Sequence, residues 1–388
     1  MAEIHGTWDP KFDSLAELVS DSLDKGTDVG ASVAVTIEGE MVVDLWGGWV
    51  DDQLSVPWVE DTIVNVWSTT KTMTSLCAFI CADRGLIDFD APVAKYWPEF
   101  AANGKEAVLV KHLLSHTSGL AGWDAPFEVA DIYDWEKSTS HLARQAPWWE
   151  PGSKSGYHGM TQGHLVGEVI RRVTGKMLGE FFAEEVAGPL DLDFHIGLDP
   201  AHDSRVAPII PFPPKDTDYD AMDKDSVVYK AAVGPKKGPE IANTIEWRRA
   251  DIGAANGHGN ARSVAKAQAI IANGGTLDGI EFLRPQTIER IFEEQADGID
   301  LVFREQQRFG IGYGLPALST SGRPESRVCF WGGWGGSKIV LDLDTNMTFS
   351  YVMNRMDDGL LGDERGENLR QATFAAVRVT TPQMNGSN

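Results

Sequence analysis

Ser68 and Lys71 stand three residues apart in the run NVWSTTKTMTSLCAFICADRGLIDF, which spans residues 65–89. Side chains at i and i+3 share one face of a helix, so this spacing sets a hydroxyl beside an ammonium. The helix that follows is apolar, with Met73, Leu76 and Ile80 directed at a core, and a buried ammonium is costly unless something uses it. A serine at a helix start meets the positive end of the helix and gains oxyanion stabilisation from its own backbone N–H. A neighbouring lysine, desolvated and partly deprotonated, can help remove the serine proton. The chemistry implied is nucleophilic acyl transfer. Spacing alone does not establish it, because Ser22/Lys25 and Ser263/Lys266 repeat the pattern in amphipathic helices, where a solvated lysine is the ordinary outcome. The Ser68 copy differs in context: a short apolar approach, TIVNVW, leads straight into it.

The elements that must position this pair are legible at both ends of the chain. Asp9 can cap a first helix, Pro10 suits its first turn, Phe12, Leu15, Leu18, Val19 and Leu23 form its apolar stripe, and Gly26 ends it. ASVAVTI and MVVDLW, joined through Glu38-Gly39-Glu40, read as a hairpin. SKIVLDL and MTFSYVM, joined through Asp344-Thr345-Asn346, mirror it, and a helix follows from about Asp363. Between these ends the pattern is mostly helical: Leu165, Val169 and Val173 precede a stop at Gly175, and ARSVAKAQAIIANGG ends at Gly274. The predicted fold class is α/β (α+β). Residues 1–67 and 248–388 form a split antiparallel sheet domain flanked by helices, and residues 68–247 form an inserted, mainly helical domain. Within the insertion, the Pro- and Asp-rich segment 199–246 reads equally as a surface loop or as a lid.

Composition narrows the function. Against 34 basic residues stand 57 acidic ones, a formal charge of -23, which repels nucleic acid and anionic membranes. Cys77, Cys81 and Cys329 are too few and too odd in number for a disulfide framework and fit a reducing compartment as buried free thiols. No window approaches the roughly 18 consecutive apolar residues of a membrane span, and MAEIHGTWDPKF carries no signal-like pattern. A cytoplasmic location is expected. A homo-oligomer is compatible with the sequence.

Five segments in order carry a resemblance: VWSTTKTMTSLCAFICADRGLIDFDAPVAKYWPEF, VKHLLSHTSGL, the stretch beginning PGSKSGYHGMTQGHL, GHGNARSVAKAQAIIANGG, and FWGGWGGSKIVLDL with YVMNRM. Together they resemble the serine β-lactamase-like hydrolases, which include class C β-lactamases, DD-peptidases and, most closely, the family VIII carboxylesterases. The resemblance implies the β-lactamase/DD-peptidase-like fold, with Ser68 as nucleophile and Lys71 as its helical partner. Tyr157, in SGYHG, matches the tyrosine of the family's Tyr-x-Asn element, and a phenol with an ordinary pKa near 10 needs a nearby cation to act as base. Lys71 is expected to hold it as phenolate. Trp331-Gly332-Gly333 matches the position of the family's Lys-Thr-Gly element, so that the backbone N–H of Trp334 would join that of Ser68 as oxyanion donors. Taken alone, a loop tyrosine packs its ring and WGGWGGS is a Gly-rich turn.

Two departures bear on substrate. Gly159 stands where lactamases carry the amide-holding asparagine, and Trp331 where they carry the lysine that meets the lactam carboxylate. Losing that charge-assisted bond, the stronger kind, disfavours lactams and favours a neutral carboxylic ester, with no metal or organic cofactor. Trp67, Trp123 and Trp334 are candidates to line an apolar acyl pocket, although ordinary packing is the commoner role of any single tryptophan. Amide or D-amino-acid peptide hydrolysis and acyl transfer remain alternatives on the same fold, and a weak β-lactamase or a silent binding protein is a more distant one. A Ser-His-Asp hydrolase would require Gly-x-Ser-x-Gly, approached only by Gly30-Ala31-Ser32-Val33-Ala34, and no His-Glu-x-x-His is found. His116 and His158 stand beside Ser118 and Tyr157, and His116 reads as a loop-holding residue.

Overall fold

The two ends of the chain meet in one antiparallel sheet, in a computed structural model that describes residues 2–213, 218, 221–235, 238–317 and 326–380. The N-terminal side supplies β1 (Ile4–Trp8), β2 (Gly30–Ile37) and β3 (Glu40–Gly48). Four short strands, β4 (Ile63–Asn65), β5 (Phe194–His195), β6 (Val206–Ala207) and β7 (His258–Gly259), make a second sheet in the order β5-β7-β4-β6. Its strands come from both sides of the predicted boundaries at 67/68 and 247/248. The C-terminal side adds β8 (Val328–Gly332), β9 (Lys338–Asp342) and β10 (Met347–Met353), and the large sheet runs β1-β3-β2-β10-β9-β8. Both predicted hairpins form. Glu38 and Gly39 take positive φ of 52° and 85° in the first, the backbone twist that a two-residue turn needs to match its strands.

Five helices frame the site: α1 (Asp13–Asp24), α2 (Thr70–Asp83), α3 (Thr161–Thr174), α4 (Ala261–Ala272) and α5 (Glu364–Thr380). As predicted, Asp9 caps the one-turn helix before α1, and Gly175 ends α3 in a left-handed conformation. Side chains alternate across a strand, and the two faces of the large sheet differ in chemistry. One face presents Ser32, Ala34, Thr36, Thr348 and Ser350 to the alanine-rich α4, and small residues on both sides let helix and sheet approach closely. Thr348 donates to the carbonyl of Ala265 at 3.1 Å, Ser32 Oγ accepts from the N–H of Ala261 at 3.2 Å, and the Thr36 and Thr348 hydroxyls are 2.6 Å apart. The opposite face carries Tyr351, beside which α5 packs with α1.

Between α4 and α3 lies α2, buried along its whole length from Thr70 to Cys81. A helix buried on every side has no solvated face for a lysine. Cys77, Cys81 and Cys329 are buried free thiols, and burial pushes the Cys81 thiol up to about 12. The segment 199–246 carries the helical turns Pro200–Arg205, Val227–Val233, Pro239–Asn243 and Ile245–Arg249; its residues 214–217, 219–220 and 236–237 lie outside the described residues. No helix among the described residues is long and apolar enough to cross a membrane.

A buried ion network ties the chain ends together. The Arg365 guanidinium donates to Asp28 at 2.8 Å, to Asp363 at 2.5 Å and to the Gly335 carbonyl at 2.8 Å, while Tyr351 OH donates to Asp28 at 2.7 Å. Removing one partner of such a network strands the others in a poorly hydrated interior. Arg365→Met is therefore expected to cost about 3–5 kcal/mol of stability, read as a lowered urea midpoint; a loss below about 1 kcal/mol would assign the network no more than the worth of a surface ion pair.

Candidate active site

Ser68 lies in the one-turn helix Trp67–Thr69 that runs directly into α2. The residue before it, Trp67, has φ of +48°, an outlier for a bulky side chain that costs on the order of 1–3 kcal/mol and persists only where the surroundings enforce it. They do so at four points. Ser337 Oγ donates to the Val66 carbonyl at 2.8 Å and lies 2.9 Å from Thr69 Oγ1, Thr70 Oγ1 donates to the Trp67 carbonyl at 2.5 Å, and the Val66 N–H donates to the Gly257 carbonyl at 2.9 Å. The turn is thus bracketed by the segment after β8 and by the loop before β7.

Lys71, 1% exposed, aims its ammonium at three oxygens. Its Nζ lies 3.1 Å from Ser68 Oγ, 2.8 Å from the Gly159 carbonyl and 2.8 Å from the Ala254 carbonyl. Thr74 Oγ1 donates to the Gly253 carbonyl at 2.6 Å and Thr70 Oγ1 accepts the Gly257 N–H at 2.9 Å, so α2 itself stitches down the loop that presents Ala254.

Tyr157 completes the group by donating its hydroxyl to Ser68 Oγ at 2.7 Å, with Lys71 Nζ 4.9 Å from its ring centroid. Its ring is enclosed by Phe303, stacked at 4.4 Å and 24°, by His116 at 5.0 Å and by Trp331 at 6.1 Å. Burial pushes the phenol above the ordinary tyrosine value, and its bond to Ser68 and the nearby Trp331 indole oppose that rise. The Trp331 N–H stays outside hydrogen-bond geometry and has no partner among the described residues, so its pull on the phenol is weak. Burial works against the phenolate that Lys71 was expected to hold, and the Tyr157 hydroxyl is placed as a donor to Ser68 Oγ.

The remaining predicted residues divide. Trp67, Trp334 and Trp247 form an aromatic cluster beside Ser68, with ring centroids 5.0 Å apart for Trp67 and Trp334 and 5.4 Å for Trp67 and Trp247. Among the described residues, no acceptor engages the main-chain N–H of Ser68 or of Trp334. Gly332 and Gly333 have no room for a side chain: a Cβ at Gly332 would lie 2.2 Å from the Leu361 carbonyl, and one at Gly333 2.1 Å from Ser337 Oγ and 2.4 Å from the Val66 carbonyl. Gly159 is different, since a Cβ there would meet only the Tyr157 ring, at 3.7 Å; its carbonyl is what the site uses. Trp123 is not part of this group. It stacks on Phe127 at 4.6 Å, meets His164 edge-on and donates to the Ser138 carbonyl. His158 accepts the Leu120 N–H and the Ser118 hydroxyl at Nε2, which puts its proton on Nδ1, bonded to the Gly156 carbonyl at 2.6 Å. Burial lowers it to about 3, leaving it neutral. His116 accepts the His158 N–H, so both histidines hold loops.

Sequence reasoning missed Ala254, Ser337, Trp247, Phe303 and Asp300. Ala254 acts through a carbonyl, which no side-chain pattern announces. Asp300 is readable as the start of an Asx turn, but its bond to the Tyr157 N–H at 3.1 Å is not.

The chain matches the beta-lactamase family over residues 15–374. It is 34% identical over 366 residues to the esterase/beta-lactamase LipL of Mycobacterium tuberculosis, covering 91% of this chain and 83% of LipL. To the esterase EstB of Burkholderia gladioli it is 27% identical over 362 residues, 86% of this chain and 88% of EstB. The crystal structure of a family VIII carboxylesterase superposes with a TM-score of 0.90 at 41% identity, covering 96% of this chain and 100% of the other.

The close approach at Gly333 supplies a test of the site's rigidity. Gly333→Ala must move either the Ser337 hydroxyl or the Val66 carbonyl, and so the Ser68 turn. Activity is expected to fall about 100-fold, the scale of a misplacement near 1 Å, with the far-UV circular dichroism unchanged; turnover within about three-fold of the parent would mean that the turn tolerates the shift.

Proposed function

Because the chain belongs to the beta-lactamase family and is a serine hydrolase, we propose that it is a carboxylesterase acting on neutral, short- to medium-chain or aromatic carboxylic esters. The observation that carries this reading is the contact of Tyr157 OH and Lys71 Nζ with Ser68 Oγ, beside a Trp331 that brings no cation. A neutral indole offers a substrate carboxylate no ion pair, and the room at Gly159 is not filled by an amide. Relatives named esterases favour the same chemistry, and the double name of LipL makes lactam hydrolysis the competing outcome.

In this mechanism Lys71 and Tyr157 work as one base. The pair with one proton removed has two tautomers, neutral amine with phenol or ammonium with phenolate, and its titration belongs to both groups together. Ser68 yields its proton to the pair as Oγ attacks the ester carbonyl carbon, and the N–H groups of Ser68 and Trp334 receive the oxyanion. Collapse expels the alcohol, which takes back the proton through Tyr157. Water then attacks the acyl-enzyme, its proton passing by the same route, and Ser68 is regenerated with release of the acid.

A fluorophosphonate is expected to leave one adduct, mapped by mass spectrometry to the Ser68 peptide; labelling at Ser32, Ser118 or Ser263 would overturn the assignment. Lys71→Ala and Tyr157→Phe should each lower turnover by roughly two to four orders of magnitude, and the double variant should lose little more than either, as residues acting as a unit do.

Substrate preference is tested with p-nitrophenyl esters of rising chain length beside a chromogenic cephalosporin. Short to medium esters should exceed the cephalosporin by several decades in kcat/KM. A ratio near or below one would replace the esterase reading by that of a lactamase.

A further inference from the structure

Asp300 lies 143 positions from Tyr157 in the chain and is fully buried. Its Oδ1 accepts three main-chain N–H groups, from Tyr157 at 3.1 Å, Val302 at 2.8 Å and Phe303 at 2.9 Å. The same turn grips the tyrosine's segment at two more points: the Leu301 N–H donates to the Ser155 carbonyl at 2.9 Å, and the Phe303 ring stacks on that of Tyr157. Bonds from the Asp300 N–H to the Glu305 carbonyl and from the Arg304 N–H back to the Asp300 carbonyl, both 2.9 Å, close the turn. Oδ2 is buried without a partner among the described residues.

A turn alone does not require this residue. Asparagine caps an Asx turn equally well and would not bury a carboxylate with one oxygen bare, an arrangement that carries a desolvation cost. The charge and the grip both converge on Tyr157. We propose that Asp300 is the positioning residue for Tyr157, holding its main chain and, through Phe303, its ring in line with Ser68, with its carboxylate acting on the phenol. This rests on the reading of Tyr157 as part of the general base.

The electrostatic consequence has a definite sign. Burial is the larger cause of the raised Tyr157 phenol, and the Asp300 carboxylate adds to it. Removing the charge while keeping an acceptor oxygen lowers the phenol's hold on its proton, so the basic form appears at lower pH. The other titratable groups facing the ring are Lys71 from α2 and His116 from its loop, with His158 packed behind His116. Burial holds both histidines well below the ordinary imidazole value, so neither changes charge over the range of the assay. Arg304 and Glu305 sit exposed at the tip of the turn.

The experiment compares Asp300→Ala, Asp300→Asn and Tyr157→Phe in the full chain, measuring kcat, KM and the pH dependence of kcat on p-nitrophenyl butyrate between about pH 5 and 10. Asp300→Ala is expected to lower kcat about 10- to 100-fold with KM within about two-fold. Asp300→Asn, whose amide oxygen still accepts, should recover to within about five-fold of the parent and move the acidic limb down by about half a pH unit or more. The proposal is overturned if Asp300→Ala keeps kcat within about two-fold, if Asp300→Asn is no better than alanine, or if its limb stays in place. Should the alanine variant fail to fold, the limb of Asp300→Asn decides alone. An active Tyr157→Phe would defeat the base reading itself, whereas an inactive one with an unmoved Asp300→Asn limb defeats only the role of Asp300.

Discussion

The ammonium of Lys71 is the constraint around which the molecule is organised. It sits on a helix with no solvated face, where an unsatisfied cation would cost several kcal/mol. The oxygens that satisfy it come from three separate places in the chain: Ser68, Gly159 and Ala254. Convergence of these segments on one nitrogen is therefore also what builds the site. Tyr157 is two residues from Gly159, and the loop that offers Ala254 also accepts the Val66 N–H through Gly257. Satisfying one buried charge and bringing Ser68, Lys71 and Tyr157 together are the same folding problem.

What the sequence made legible follows from range. The Ser68 and Lys71 pairing is a local helical spacing, the hairpins are local alternations, and the one-turn helix before α1 has a local cap; each is decided within a few residues. β1 escaped because its edge position leaves it mostly exposed, without the alternation that a half-buried strand shows. Carbonyl partners escaped because every residue carries one. Trp123 was grouped with the site by proximity of motifs along the chain, whereas its ring is used to pack Phe127 and His164. The burial of Tyr157 escaped for a related reason. Its environment is set by Phe303 and Trp331, far along the chain, and by the ring of His116, none of which the SGYHG motif contains.

The strain at Trp67 and the tightness at Gly333 belong together. A bulky residue with positive φ holds its conformation only against a surface that leaves no alternative, and Gly333 lets the chain after β8 come close enough to be that surface. Ser337 then fastens it with its bond to the Val66 carbonyl. A turn over-determined in this way has little freedom to relax, which keeps the Ser68 hydroxyl where Tyr157 and Lys71 meet it. Preorganisation of this kind lowers the reorganisation needed at the moment of attack.

An indole at position 331 also links selectivity to acid–base chemistry. A lysine ammonium there would attract carboxylate-bearing ligands, and the same charge would stabilise a phenolate. Trp331 does neither as a cation. Its N–H lowers the proton affinity of Tyr157 only weakly, short of a hydrogen bond, and burial prevails. Under the proposed function, an indole in place of a cation thus has two effects that cannot be separated: the site offers anionic ligands no ion pair, and its phenol holds its proton more firmly. In the proposed mechanism the burden of activating Ser68 then falls more heavily on Lys71, whose ammonium meets the oxygens of Ser68, Gly159 and Ala254.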